Sequence, residues 1–421
     1  MSNEKYWLSI IFPIAAVSSG FSVIIPLYIL ELHGNVIDVS LATTAYSLAV
    51  IPASLIWGEL TQRLKKIRLF ISISIIGIIP LIILLYLVHS VILAIFAYAA
   101  YAFILTASSP AVNILIMNGR KKFILKSYYG VYGLLNIIGN IIGYIPGVLL
   151  FSDTVSRYLL ILFAFNIISI ILTFAFVKKD KSVKAEEGEK ELNRVFPILN
   201  SISRFPQILA GHNLIMRVAE IRKRKKTLRI FTIFAAISFV NFGIYLFNTS
   251  YIPFLYSFRI TYQEIFLINV LNALGQVVIY FIFMAGKARN RLRTYYKIST
   301  VVRSGGYFIA ILSPIVLTGI LYLNLLSYFI AGIGYALWNI SASVIIYINI
   351  AGKMEAHYIG LWSAIIGLSG VIGSLLSGFI SFYYGYTLTF ILSIAFTVIS
   401  VLIFNDAYKN QERILDFGNN V

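Results

Sequence analysis

The sequence predicts an all-α membrane protein of twelve transmembrane helices in two pseudo-symmetric six-helix bundles. Three observations carry that prediction. First, 59% of the 421 residues are hydrophobic and only 12% are charged, with a mean hydropathy of +0.88, whereas a soluble domain carries roughly 25% charged residues. Second, the basic residues lie almost wholly on one side of the apolar segments. Third, three short patterns recur at a nearly constant offset.

A helix crossing the hydrocarbon core needs about 20 predominantly apolar residues. Twelve segments qualify, at roughly 7–32, 41–60, 68–88, 91–117, 127–151, 156–177, 229–256, 264–285, 295–318, 320–349, 357–382 and 386–405. The first is too long for a cleavable signal core and lacks a small-residue cleavage pattern, so it reads as retained. The ninth and tenth meet around Gly319 with no charge between them. Eight prolines (Pro13, Pro26, Pro52, Pro80, Pro110, Pro146, Pro253, Pro314) fall inside these segments. In a soluble helix each would cost about 3 kcal/mol. In lipid, neighbouring helices and hydroxyl side chains re-satisfy the freed backbone groups, so the prolines do not argue against helices.

Orientation follows from charge. With the amino terminus cytoplasmic, the cytoplasmic segments hold 31 of the 34 Lys+Arg, the outer loops hold only Arg157 and Arg259, and Arg303 lies within a segment. That asymmetry predicts a multi-pass cell-membrane protein with both termini cytoplasmic. The net charge of +18 therefore sets topology and faces anionic lipid headgroups, and no nucleic-acid partner is expected. The one long polar stretch, about 178–228, opens with solvated charge from Lys178 to Glu191 that reads as disordered. Further on, Leu214, Val218 and Ile221 share a helical face ahead of the basic run Arg222–Lys226. This reads as an interfacial helix anchored on anionic lipid, with a regulatory or docking role as the alternative.

The chain has no cysteine, which excludes disulfides and thiolate metal sites. It has no Gly-x-x-x-x-Gly-Lys-Ser/Thr phosphate loop, which argues against ATP-driven transport. A membrane enzyme would need acids, histidines or a nucleophile clustered near one interface, and none is found. Neither a cofactor nor enzymatic activity is expected.

The repeat appears at three places. Ile25-Pro26-Leu27-Tyr28 matches Ile252 to Tyr256 at an offset of 227. A basic turn from Gly58 to Lys66 (Gly58, Leu60, Gln62, Arg63, Lys66) matches one from Gly286 to Thr294 (Gly286, Asn290, Arg291) at 228. Gly130, Tyr132 and Gly143 match Gly360, Trp362 and Gly373 at 230. Three weak matches in order divide the chain into halves, 1–178 and 229–421, joined by a linker at 179–228.

On these residues the chain resembles the major facilitator superfamily. Gly58, Leu60, Arg63 and Lys66 match the family's signature between helices 2 and 3, and Pro26 and Tyr28 look like its exit from helix 1. The resemblance covers essentially the whole chain and implies a secondary transporter whose basic turns form a cytoplasmic gate. Where the family carries an aspartate this chain has Gln62, and its second glycine is Lys65. The amide removes a charge-assisted contact, for which Glu59 is a possible substitute.

Transporters of this kind bind solute near the midplane, where the halves meet. Polar residues spaced three or four apart share a helical stripe, and such a stripe should face inward. Candidates for a substrate cavity are Ser18 and Ser22 in the first segment, Asn136 and Asn140 in the fifth, and Asn241, Tyr245 and Asn248 in the seventh. Asn269, Asn272 and Gln276 in the eighth, and Tyr335, Trp338 and Asn339 in the tenth, complete the set. The competing reading is interhelical glue. Glycines Gly139, Gly143, Gly147, Gly367, Gly370 and Gly373 read as packing positions. No Asp, Glu or His lies at mid-depth. Arg303 sits about eight residues into its segment, ~12 Å. It either snorkels back to the cytoplasmic face or pairs with helix-end carbonyls, or it takes part in gating or anion binding.

The expected function is transport of a small, neutral or amphipathic solute by alternating access, in a protein that acts as a monomer. The alternative is a membrane sensor or a lipid flippase or scramblase on the same fold.

Overall fold

The computed structural model describes residues 8–64, 66–117, 122–150, 155–177, 225–284, 292–316, 319–350 and 355–418. Every regular element among them is helical. Twelve helices are long and apolar enough to cross a membrane. Spans 1 to 6 run over Leu8–Glu31, Val36–Thr61, Ile67–Leu87, Val91–Val112, Val131–Leu149 and Arg157–Phe176. Spans 7 to 12 run over Phe231–Ser257, Tyr262–Phe283, Leu292–Ile315, Ile320–Ser343, Ile365–Tyr384 and Tyr386–Asp406. The linker expected at 179–228 lies outside the described residues, except that its last four belong to the helix Lys225–Ser257 carrying span 7.

Proline position explains the helix breaks. Span 3 is interrupted at Gly77 and restarts at Ile78, which puts Pro80 at the third position of the new helix. Span 4 is interrupted at Thr106 and Ala107 and restarts at Ser108, which puts Pro110 third. In the first turn a proline gives up no intrahelical hydrogen bond. Near Gly319, the ninth span closes in a 3-10 turn at Ser313–Ile315 and the tenth begins at Ile320.

The duplication is plainest in two turns, after span 1 and after span 7. In the first, His33 N–H donates to Leu30 O and Gly34 N–H to Ile29 O. In the second, Arg259 N–H donates to Tyr256 O and Ile260 N–H to Leu255 O, the same pattern 226 residues on. His33 (φ 62°) and Arg259 (φ 57°) occupy the left-handed region that this helix ending requires. The next helix then starts with a side-chain cap in both copies. Asp38 accepts from Asn35 N–H (2.8 Å) and Glu264 from Thr261 N–H (2.8 Å). The two acids are therefore cap residues.

Spans 1 and 7 are central, with 72% and 56% of the residues in their most apolar stretch buried, more than in any other span. Span 1 packs on spans 5 and 6, span 7 on 11 and 12, span 8 on 10, and span 9 on 10 and 12. The two sets of six meet along two seams, span 2 against span 11 and span 5 against span 8.

Candidate functional site

Exposure on a central span is the first clue to a site. Residues 19–30 of span 1 are buried except Ser22, and residues 246–255 of span 7 are buried except Asn248. A polar side chain exposed at one place on a span otherwise walled in by helices opens onto an internal space, where water or solute satisfies it. Ser22 donates to Ser19 O (2.7 Å) and lies beside the Tyr144 phenol of span 5. Ser18, half-buried, lies beside the Tyr101 phenol of span 4.

Most of the predicted amides bond within their own helix or to a neighbouring one. Asn241 and Asn269 are buried and donate to carbonyls of their own helices, Ile237 O (3.1 Å) and Ile265 O (2.8 Å). Asn272 donates to Tyr328 O of span 10 (2.9 Å), and Gln276 donates to the Asn272 side-chain oxygen (2.8 Å). Asn339 donates to the Tyr280 hydroxyl (2.9 Å), again tying span 10 to span 8. Asn136 lies beside the Tyr132 phenol one turn away, and the Asn140 backbone carbonyl accepts from Ser19 (3.2 Å). Tyr245 packs against Gly370 and Gly373 of span 11. The interhelical role thus describes Asn272, which Gln276 of its own helix supports, and Asn339, while Ser22, Asn248 and the half-buried Tyr335 remain available.

Of the predicted gate, Gly58 has open space where a Cβ would stand, and Leu60 packs on the apolar cluster around Phe70 and Ile71. Lys66 caps the helix Ile67–Ile76. Gln62 and Arg63 lie on the last turn of the helix Val36–Leu64, with side chains outside the described set. Gly286, Asn290 and Arg291 lie outside the described residues altogether.

Beyond Tyr245 and Tyr335, sequence patterns missed the tyrosines. Tyr46, Tyr98 and Tyr101 cluster with ring centroids 4.7 to 6.4 Å apart, and Phe21 stacks on Tyr101 at 4.2 Å. Across the boundary between the two sets of spans, the phenols of Tyr46 and Tyr98 lie near that of Tyr245. In the second half Phe247 stacks on Tyr307 at 3.8 Å, and Tyr251 lies 4.6 Å from Tyr328. One signal was available: Tyr101 and Tyr328 stand 227 residues apart, in register with the repeat.

Arg303 does not snorkel. It is 2% exposed, the largest fully buried side chain among the described residues. Its guanidinium lies over Tyr335 at 5.0 Å and over Trp338 at 5.7 Å. Its Nη1 has no hydrogen-bond partner, nor has the Trp338 indole N–H, which lies beside the Tyr296 phenol without reaching hydrogen-bond geometry. The ionisable side chains around the guanidinium are the phenols of Tyr307, Tyr335 and Tyr328, with no carboxylate among them. A cation–π contact is worth about 2 kcal/mol when desolvated, while burying an ion costs several kcal/mol. The rings alone leave this cation undercompensated. Among the described residues no group of His, Cys, Asp or Glu could hold a metal.

Comparison with known proteins matches this architecture. A family model described as Major Facilitator Superfamily matches residues 7–351. Two similar solved structures are those of the nucleoside transporter NupG and of a point mutant of it. Both are 13% identical to this chain and cover 97% of it and 100% of their own, with TM-scores of 0.67 for the first and 0.68 for the mutant. No curated protein matches the chain in sequence.

Proposed function

The chain belongs to the major facilitator superfamily, and on that premise we propose that it carries a small, neutral or amphipathic solute across the cell membrane by alternating access. The moving bodies are the halves 1–178 and 229–421, linked by 179–228. The observation that carries the solute path is the pair of exposed polar positions, Ser22 and Asn248, on the two most buried spans. The tyrosines around them offer flat apolar faces with a polar edge, which suits a solute having a planar or ring-shaped body.

Both termini are placed in the cytoplasm because 31 of the 34 bases fall on that side. Span 2 packs on span 11 at the opposite end, where span 2 begins and span 11 ends: Ser40 meets Gly378 and Ser374. On this reading the contact between spans 2 and 11 closes the outer side. Parting that contact while the basic turns close would expose the same space to the other side.

The test is uptake into sealed proteoliposomes of labelled hexoses, nucleosides and benzoate. Nucleosides join the panel because the similar structures are of a nucleoside transporter. Saturable uptake of one of these, weakened by Asn248→Leu, is expected. Uptake no greater than in protein-free vesicles across the whole panel would sink the transporter reading.

A further inference from the structure

We propose that Arg303 and the Trp338 indole N–H form a binding site for an anionic group, a carboxylate or a small inorganic anion. The site rests on the transporter reading and narrows its solute from neutral or amphipathic to an amphipathic anion.

Two buried donors on neighbouring side chains have no hydrogen-bond acceptor, Arg303 Nη1 and Trp338 Nε1, and the guanidinium carbon lies over the indole ring at 5.7 Å. Guanidinium and indole are donor-only groups. A ligand that satisfies both must therefore bring lone pairs, and a negative charge also supplies the missing counter-ion. Nearby hydroxyls do not fill that need. Ser299 donates to Tyr296 O (2.6 Å), and Ser304 pairs with Thr397 (3.0 Å) on span 12.

The backbone is shaped to place the cation there. At Gly334 a Cβ would stand 2.8 Å from Arg303 Cβ and 2.9 Å from Ser299 O, so only glycine lets spans 9 and 10 approach this closely. The guanidinium passes that glycine and reaches the rings of Tyr335 and Trp338. Tyr335 in turn interacts with the phenols of Tyr245 and Tyr280, the first on central span 7 and the second on seam span 8. The site therefore adjoins the aromatic side chains of spans 7 and 8. An anion there would leave its apolar body among the tyrosines.

The experiment uses purified full-length protein in a buffer whose anion is a bulky sulfonate. Chloride, sulfate, benzoate and the neutral isostere benzamide are titrated, with thermal stability and tryptophan fluorescence as readouts. A saturable rise in Tm with at least one anion and none with benzamide is expected. Arg303→Gln should weaken that binding by about tenfold or more, and Arg303→Lys should restore part of it. Saturation by chloride or sulfate alone identifies a resident inorganic counter-ion. Saturation by benzoate together with its uptake into proteoliposomes identifies the anionic end of the solute.

Equal responses in the wild type and Arg303→Gln, or no saturable response to any anion, would overturn the site. Where Arg303→Gln does not fold, Trp338→Phe carries the test, because it keeps the cation and removes one donor; unaltered anion binding in that variant likewise overturns the proposal. Uptake of a neutral solute with no anion response would remove this site and leave the transporter. Anion binding without any flux would do the reverse.

Discussion

The two seams between the sets of spans are equivalents under the internal repeat, span 2 corresponding to span 8 and span 5 to span 11, yet they are built from different chemistry. Span 2 meets span 11 through hydroxyls. Ser40 donates to Ser374 O (2.6 Å), and Thr44 pairs with the Ser374 hydroxyl (2.9 Å). Span 5 meets span 8 through glycines seated on aromatic rings, Gly147 on Phe266 and Gly133 on Tyr280. When a hydroxyl seam parts, water replaces each bond, and the net change is about 0.5–1.5 kcal/mol per bond. When a ring leaves a glycine, apolar surface is wetted at roughly 25 cal/mol per Å² with no replacement. Two seams of equal rank in the fold therefore have unequal resistance to opening, and the hydroxyl seam is expected to open first.

The largest effect should come from blocking the hydroxyl seam at its backbone. A Cβ on Gly378 would stand 2.2 Å from Ser40 Cβ and 3.1 Å from Val36 O. No rotamer of Ser40 relieves a clash with its own Cβ. Gly378→Leu should hold the seam apart, at an overpacking cost of about 1–3 kcal/mol. Transport should fall by about tenfold or more. Because the chain has no cysteine, Asn248→Cys provides a clean reporter, and a membrane-impermeant maleimide should reach it from outside faster in the Gly378→Leu background. Unchanged labelling would show that this seam does not control access.

Gly147→Leu should act less strongly. The Cβ position lies 2.3–2.5 Å from Phe266 ring atoms, and a ring, unlike a backbone, can swing aside. The expected loss is several-fold, within the same overpacking range of about 1–3 kcal/mol. It should be largely reversed by Phe266→Ala, because the two residues share one contact. Additive losses in the double variant would mean that the aromatic seam does not work through this pair.

The spans and their number were legible because lipid imposes a local rule on each segment: about 20 apolar residues and no unsatisfied backbone. The repeat was legible in part. The duplicated turn at His33 and Arg259 was not, since a histidine and an arginine in the left-handed region carry no signal comparable to glycine. Among the candidate site residues, spacing identified which amides share a face but not what each one faces. Asn272 and Asn248 have the same sequence signature, yet one is bonded to Tyr328 O and the other is exposed. The tyrosines were opaque for a related reason. With 28 of them in the chain, those that meet across spans are distinguished only by the packing.

Ser40→Ala should give a smaller change than either glycine variant. It removes the 2.6 Å bond to Ser374 O and leaves that carbonyl to its own helix. A loss of about 1 kcal/mol from the closed state corresponds to roughly a fivefold shift in population. Outside labelling of the Asn248→Cys reporter should rise by about that factor.

Thr44→Val should be the mildest, and it separates the two parts of the hydroxyl seam. The Ser374 hydroxyl that Thr44 meets also donates to Gly370 O (2.7 Å) within its own helix, so removing Thr44 leaves Ser374 satisfied. The neighbouring Thr43 bonds Val39 O of its own helix (3.0 Å) and is untouched by the change. Volume and χ1 preference are nearly kept. The cost should stay at the lower end of the range for one hydrogen bond, about 0.5 kcal/mol, and the labelling rate should change by about twofold at most. A Thr44→Val effect as large as that of Ser40→Ala would mean that the Thr44–Ser374 contact, not the Ser40 bond to the backbone, holds the hydroxyl seam closed.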